Sequence, residues 1–280
     1  MAKSEEKKST LRVIVHSFFV VPFLIAAFAV LVYGLTRLIT YDGRDAYDLL
    51  TQIRTGSQSQ RWQAAVDLSK FLQNPDLIPP GDKFISEMNL AYREAKHDDP
   101  RVRQYLTLAM GRTGRTEFVP ILLADLSSSS GDNQLTLIHS LGLLCDERAM
   151  VPLIELAEAP DARIRLEAII SLGNIGSEAA IPALEKALYD SEPNVRWDAA
   201  IALAKMGDSS GSHILLDLLN RDYLKSYSEV DADERTEAIL VAIEAAKYLS
   251  NDELNEKIKD LSRNDPVMRV RDEAQKALQL

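Results

Sequence analysis

The sequence contains little cysteine, few aromatic residues and few strand-like stretches. Cys145 is the only cysteine among 280 residues, so an intrachain disulfide is excluded, and we expect this side chain to lie in the core. Few segments alternate apolar and polar residues as half-buried strands do. Aromatic residues make up 6% of the chain, whereas alanine and leucine, both strong helix formers, are abundant. The composition therefore predicts an all-α protein.

The motifs of common enzyme classes are also missing. The sequence has neither the Gly-x-x-x-x-Gly-Lys loop of nucleotide-binding proteins nor the Gly-x-Gly-x-x-Gly turn of dinucleotide-binding folds. No two of its four histidines have the spacing of metal ligands; they are His16, His97, His139 and His213. We therefore predict no catalytic residue, metal, cofactor or small-molecule substrate. The sequence indicates a protein that is not an enzyme.

Positive charge is scarce outside the N-terminal region. The formal net charge of the chain is −10, but five of its 32 basic and only two of its 42 acidic residues precede residue 38. The remaining 27 basic and 40 acidic residues give residues 38–280 a net charge of −13. An acidic surface repels nucleic acid backbones and anionic lipid headgroups. We therefore expect no nucleic acid partner.

One long apolar run lies near the N-terminus. Residues 13–36 form 24 consecutive uncharged positions between Arg12 and Arg37. As a helix they would span roughly 36 Å, which exceeds the thickness of a bilayer's hydrocarbon core. The run predicts a single transmembrane helix over 13–37, preceded by a short tail over 1–12.

A cleaved signal peptide is the alternative interpretation of this run. The triplet Ala27-Phe28-Ala29 has the small-x-small form of a cleavage site. The apolar run nevertheless continues to Leu35, where a signal peptide normally becomes polar. We therefore favour an uncleaved anchor.

The distribution of basic residues predicts the orientation of the anchor. Four basic residues precede the run, whereas Arg37, Arg44 and Arg54 follow it. Basic residues are enriched on the cytoplasmic side of a membrane. The tail therefore favours a single-pass protein of a bacterial inner membrane, with its folded part in the periplasm or exterior rather than in the cytoplasm.

An internal repeat occupies the central part of the chain. Four six-residue segments begin with a small residue and follow one another at a spacing of 31 residues: 109–114, 140–145, 171–176 and 202–207. Three of them end in glycine, which favours the left-handed backbone at the end of a helix. Prolines follow at a nearly constant distance, where they can begin the next helix: Pro120, Pro152 and Pro182. Each unit is therefore predicted to be a helix, a turn and a second helix.

Looser copies extend the repeat in both directions. We predict a linker and a first helix over 38–58 and a solenoid over 59–280. Insertions of about a dozen residues lengthen the array near 74–82 and 220–233. The fold class is therefore a single transmembrane helix followed by a right-handed α-α superhelix of about six to seven helical hairpins.

The repeated pattern Asp-Pro-x-Val-Arg, followed by Ala-x-Gly-x-x-Gly and Pro-x-Leu, resembles HEAT repeats. It is similar to the short bacterial form also called PBS-lyase HEAT-like repeats, over roughly 44–280. The resemblance implies that the second helix of each unit lines the concave face. It also implies that each arginine pairs with the acidic residue four positions before it. That expected structural ladder consists of Asp99–Arg103, Asp161–Arg165 and Glu192–Arg196.

Residues in register on the second helices form the candidate partner-binding face. They are Leu135, Leu166 and Trp197; Ile170 and Ile201; and Arg112, Asn174 and Lys205. One interpretation is an apolar groove with a polar rim, in which Trp197 is the anchor. The alternative is that these rows are core between repeats. The second insertion is a further candidate through Tyr223 and Tyr227, with a solvated connector as the alternative.

These features predict a non-catalytic, membrane-anchored scaffold or adaptor. We expect it to bind a protein partner, as part of a membrane or envelope complex, through the concave face and the inserted loops. The resemblance leaves a phycobilin-lyase-like chaperone or lyase as the alternative, although nothing in the sequence marks a bilin pocket. A purely structural spacer is the third interpretation.

Overall fold

The computed structural model describes residues 21–40 and 45–279, and every regular element in them is helical. Sixteen α-helices and five short 3-10 segments make up these two ranges. The chain divides into two compact units between Asp45 and Ala46. The all-α prediction is therefore confirmed for the described residues.

The described residues of the first unit form one helix, α1, which spans Val21–Thr40. Several of its apolar side chains are exposed, among them Phe23, Leu24 and Phe28. No helix within the described residues is long and apolar enough to cross a membrane. The transmembrane helix expected over 13–37 is therefore not found there, and residues 1–20 lie outside the described part of the chain.

The second unit is an array of helix pairs. Its helices are α2 Ala46–Thr55, α3 Gln58–Phe71, α4 Asp82–Glu94, α5 Pro100–Arg112, α6 Val119–Leu126, α7 Gly131–Leu144, α8 Met150–Leu156, α9 Ala162–Ile175, α10 Ile181–Ala187, α11 Pro193–Lys205, α12 Ser212–Leu218, α13 Arg221–Lys225, α14 Ala232–Ala246, α15 Asp252–Asn264 and α16 Met268–Ala277. Successive helices pack as seven pairs, and α13 lies in the connection within the sixth pair.

The second helices of the pairs form one continuous row. In order they are α3, α5, α7, α9, α11, α14 and α16, and each packs mainly against its neighbours in this row and against the first helix of its own pair. We call the solvent-facing side of this row the second-helix face. The predicted solenoid of six to seven hairpins is thus confirmed as an all-α repeat array, while its right-handed sense stays a prediction.

The ends of the central second helices have a left-handed backbone. Gly114, Gly176 and Gly207 have φ values of +64°, +67° and +78°, as their role in ending a helix predicts. Cys145 takes the same position at the end of α7 with φ +49°. Its side chain is exposed. The prediction that Cys145 is a core residue is therefore wrong, because this residue stands where the other repeats have glycine.

Small residues bring the central second helices into close contact. A Cβ atom placed on Gly111 would lie 2.8 Å from Cα of Ser140, and one on Gly142 would lie 2.8 Å from Cα of Ser171. A Cβ atom on Gly173 would lie 2.7 Å from Cβ of Ala202. Each glycine thus meets the small residue that begins the repeated segment of the next unit. This explains why those segments begin with serine or alanine.

The arginines of the repeats do not form the expected ladder. Arg103 pairs with Asp125 and lies over the ring of Tyr92, rather than pairing with Asp99. Asp99 binds Arg101 instead, with an oxygen-nitrogen distance of 2.6 Å. Similarly, Asp161 binds Arg163 at 3.0 Å, and that contact lowers the pKa of Asp161. In each case the aspartate caps its own helix and holds the arginine two residues later.

The arginine four residues after the N-cap acid of α9 and of α11 binds main-chain carbonyls of the preceding turn, and Arg165 also binds a carboxylate of the next unit. Arg165 donates to the carboxylate of Asp190 at 2.7 and 2.8 Å and to the carbonyl of Ala159 at 3.0 Å. Arg196 donates to the carbonyls of Asp190 and Ser191, at 2.7 and 3.0 Å, and not to Glu192. These arginines therefore bind main-chain carbonyls at the end of the preceding helix, and Arg165 also connects its helix to the next unit through Asp190.

Candidate protein-binding site

A row of half-buried apolar side chains crosses four successive second helices. We call it the apolar strip, and it consists of Leu108, Leu135, Leu143, Leu166, Ile170 and Ile201. Leu166 and Ile201 pack partly against the hydrophobic core. Leu135 and Ile170 lie outside that core and remain half-exposed. The strip therefore packs partly on the core and also reaches the second-helix face.

Trp197 is not the exposed anchor that the sequence predicts. Only 9% of its surface is accessible, because Tyr223 and Tyr227 pack edge-on against its ring with centroid distances of 6.4 and 5.1 Å. The indole Nε1–H donates to the hydroxyl of Tyr223 at 3.3 Å, and the two tyrosine hydroxyls lie 3.0 Å apart. The contact between the hydroxyls raises the pKa of Tyr227. The second insertion therefore covers Trp197, and these three candidate residues form one aromatic cluster.

The predicted polar rim contains one side chain that is bound within the protein. Arg112 donates to the main-chain carbonyl of Ser69 at 2.6 Å, and burial lowers its pKa. Asn174 and Lys205, one and two second helices further along, are exposed. Only these two of the three predicted rim residues are therefore free to contact a partner.

Two carboxylates that the sequence argument overlooked lie next to the strip. Glu167 on α9 and Asp198 on α11 are half-buried and occupy the same position in successive repeats, 31 residues apart. His139 Nδ1 lies 2.9 Å from Oε1 of Glu167. Burial raises the pKa of Asp198 to about 6, against the opposing charge of Lys205 and with a further contribution from Glu167. Their shared spacing was visible in the sequence and would have revealed them.

An acidic cavity of about 470 Å³ lies between the start of α11 and the start of α14. Its lining includes Glu192, Glu229 and Glu234 together with Trp197 and Val230. No group of three or more His, Cys, Asp or Glu side chains in the described ranges is arranged to hold a metal ion. The surface that the structure brings together is therefore an apolar strip with acidic side chains beside it.

These features define the chain as a helical-repeat protein with an array of paired helices. Residues 150–227 match the family of HEAT repeats. This match covers the units that fit the repeat pattern most closely, so the predicted resemblance is confirmed there. No match was found among curated proteins.

Two solved structures of other helical-repeat proteins match this chain. One is the complex of CpcE and CpcF of phycocyanin lyase from Nostoc sp. PCC7120, with 20% sequence identity over 84% of this chain and 95% of that chain and a TM-score of 0.56. Another is the archaeal HEAT-like repeats protein from Thermococcus onnurineus NA1, with 16% identity over 84% of this chain and 96% of that chain and a TM-score of 0.44. At these identities the first similarity shows the fold alone.

Proposed function

We propose that this chain is a non-catalytic scaffold that binds a protein partner through the second-helix face. The observation that carries the proposal is the apolar strip, in which six half-buried leucine and isoleucine side chains align across four helices. Repeat arrays present long continuous surfaces, and binding is their usual role. Partly exposed apolar side chains in one contiguous row are typical of a surface that another protein covers.

The attachment of this scaffold to a membrane is part of the proposal. It is supported by the 24 uncharged residues over 13–36 and by the exposed apolar side chains of α1, such as Phe28 and Leu31. A tethered scaffold meets membrane proteins at a raised effective concentration, so the partner would belong to a membrane or envelope complex. The basic tail favours an orientation with the repeats outside the cytoplasm, and the resemblance to the bacterial form of the repeats makes a bacterial inner membrane our choice.

Cell fractionation tests the attachment. The full chain should sediment with membranes and resist extraction by high salt, and a variant that lacks 13–36 should move to the soluble fraction. Protease added to intact spheroplasts should digest the repeats if they face the periplasm. A full chain that remains soluble would end the membrane part of the proposal without affecting the binding face.

Site-specific photo-crosslinking in cells tests the binding face. A photoreactive amino acid at Ile170, within the apolar strip, should give discrete crosslinked products. The same group at Val151 on the first helix α8, which is 67% exposed, should give none or only faint ones. Equal products from both positions, or none from Ile170, would show that the second-helix face is not the binding surface.

A chaperone or lyase for a chromophore protein is the second candidate. The similarity in fold to the phycocyanin lyase complex favours it. Incubation of the full chain with apo-phycocyanin and its bilin chromophore provides the test. A faster covalent attachment, measured by absorbance of the denatured protein, supports this candidate. An unchanged rate together with crosslinks from Ile170 supports the scaffold.

A further inference from the structure

We propose that the partner carries a basic side chain between apolar ones, and that this side chain pairs with Asp198 and Glu167 when the apolar strip is covered. The inference rests on the proposed function and names the chemistry of the partner. It concerns a part of the second-helix face where charge and apolar surface lie side by side.

The two carboxylates are placed within the strip. Glu167 directly follows Leu166 on α9, and Asp198 lies one helical turn before Ile201 on α11. Glu167 contacts the ring of His139. Within the described ranges neither Glu167 nor Asp198 forms an ion pair with a lysine or arginine. A partner that covers the strip would therefore bury two carboxylates, of which only Glu167 has an imidazole beside it.

Other shielded carboxylates of the array have an arginine beside them. Asp125 pairs with Arg103, and Asp190 pairs with Arg165 at 2.7 Å. Asp265, whose side chain is only 1% exposed, binds Arg221 at 2.7 Å. Asp198 is half-buried like Asp125, but no arginine binds it, and the only cation that acts on it is Lys205 on the same helix, which forms no ion pair with it in the described ranges. A guanidinium or ammonium group of a partner would give Asp198 the paired cation that the other shielded carboxylates have within the chain.

The cavity between α11 and α14 is also lined by acidic side chains. Glu192, Glu229 and Glu234 line it, and no lysine or arginine is among its lining residues. Arg196 donates to the carbonyls of Asp190 and Ser191, and Arg235 donates to the carbonyl of Val230, so both nearby guanidinium groups are held by main-chain carbonyls rather than by these glutamates. Acidic side chains thus continue from α9 to α14. This surface attracts a basic segment of a protein and repels phosphate-rich ligands.

Burial makes the pairing strong once it forms. Apolar surroundings disfavour the ionised carboxylate of Asp198, and this raises its pKa. The free protein therefore holds this charge at a cost, which a bound cation would offset. Removal of one partner from a shielded charge pair leaves the other charge unpaired, and such changes affect affinity strongly.

Two matched peptides test the inference with the full chain in a non-ionic detergent. The basic peptide is acetyl-Gly-Leu-Arg-Leu-Lys-Leu-Arg-Gly-amide, and the matched peptide has glutamine in place of each arginine and lysine. Fluorescence anisotropy of labelled peptides gives the two dissociation constants. We expect the basic peptide to bind at least tenfold more tightly than the glutamine peptide.

Charge-removing variants locate the effect. The double variant Glu167→Gln, Asp198→Asn keeps the side-chain shapes and should weaken binding of the basic peptide at least tenfold. The control variant Glu155→Gln, Asp217→Asn removes the same charge from exposed positions on the first helices α8 and α12. It should change the dissociation constant less than twofold.

Two results would overturn the inference. One is equal binding of the two peptides, and the other is an equal loss of binding in both double variants, which would indicate attraction by the net charge alone. Failure of the inference remains distinguishable from failure of the scaffold proposal. Crosslinks from Ile170 that persist in the Glu167→Gln, Asp198→Asn variant would keep the binding face and remove only the basic partner.

Discussion

Cys145 shows how one residue departs from the rule that its neighbours follow. Its backbone is left-handed with φ +49°, whereas glycine occupies this position in three other repeats. A side chain in this conformation costs about 1–2 kcal/mol, because Cβ crowds the following carbonyl oxygen. The thiol offsets part of this cost through contacts of 3.3 and 3.4 Å with the carbonyls of Gly142 and Asn174. The end of α7 is therefore less stable than the ends of α9 and α11.

The substitution Cys145→Gly should raise the free energy of unfolding by about 1 kcal/mol, since it relieves this strain. Urea denaturation followed by circular dichroism measures the change. The converse substitution is Gly207→Ala, which adds a Cβ with no atom within 4 Å. It should lower the free energy of unfolding by about the same amount. A destabilised Cys145→Gly variant would contradict the strain argument.

Asp198 should make stability depend on pH. Its pKa is about 6 in the folded chain and 3.8 when fully solvated, so the folded state binds more protons between these values. Stability therefore falls as pH rises through about 4 to 6, by up to about 3 kcal/mol. Asp198→Asn removes this term and should be more stable than the parent at pH 7, with a smaller difference at pH 4. A difference that does not change with pH would contradict the assignment.

The periodic sequence was sufficient to predict some residue roles and not others. Glycine at the ends of helices and small residues at Ser140 and Ser171 follow from local backbone and packing rules, and the structure confirms both. The partner of Arg165 could not be predicted in this way. Sequence spacing makes Asp161 available one turn away, but the guanidinium instead reaches Asp190 and main-chain carbonyls, which only the packed turn brings close.

Among the helices, α7 and α9 approach each other closely at Gly142 and Ser171. A Cβ atom on Gly142 would lie 2.4 Å from Oγ and 2.8 Å from Cα of Ser171. Ser171 cannot turn away freely, because its hydroxyl donates to the carbonyl of Ile138 at 3.0 Å. The distance between these two helices is therefore set by a glycine and a serine.

The substitution Gly142→Ala should lower the free energy of unfolding by about 1–3 kcal/mol, because the added methyl group overpacks the junction. In an exposed helix the same change would be favourable by about 1 kcal/mol. Thermal denaturation measures the effect. The double variant Gly142→Ala, Ser171→Gly returns space to the junction and should recover part of the loss. An undiminished loss in the double variant would indicate that the cause lies elsewhere.

The second insertion illustrates what element-level patterns do not determine. Its aromatic and charged composition left a binding loop and a solvated connector open. Tyr223 and Tyr227 instead pack on Trp197, which is 26 and 30 residues earlier in the chain, and Arg221 binds Asp265, 44 residues later. Such long-range pairings follow from the packing of three helix pairs and have no local signal.

Across the whole array, each helix pair depends chiefly on its immediate neighbours. The row of second helices places α9 between α7 and α11, whereas α16 has a second-helix neighbour only in α14. The stability of such an array is approximately a sum of pair and junction terms. The number of pairs was predictable because this architecture is periodic.

This arrangement predicts uneven protection of backbone amides. Hydrogen exchange measured by mass spectrometry should be slowest in α7 and α9 and at least tenfold faster in α16, because α16 packs against only one second helix, α14, in the described residues. The comparison uses the full chain under native conditions, so both regions share the same sample. Uniform exchange from α5 to α16 would show that the array unfolds as one cooperative unit.

The contact between a glycine and the small residue of the next unit also makes the array modular. An additional copy of residues 146–176, placed after Gly176, would set Gly173 against the copied serine and the copied glycine against Ala202. The contacts on both sides of the copy would again join a glycine to a small residue. An insertion of any other length within a second helix would bring a larger side chain into one of these joints. Duplication of whole units is thus a route by which this chain could lengthen without a new interface having to arise.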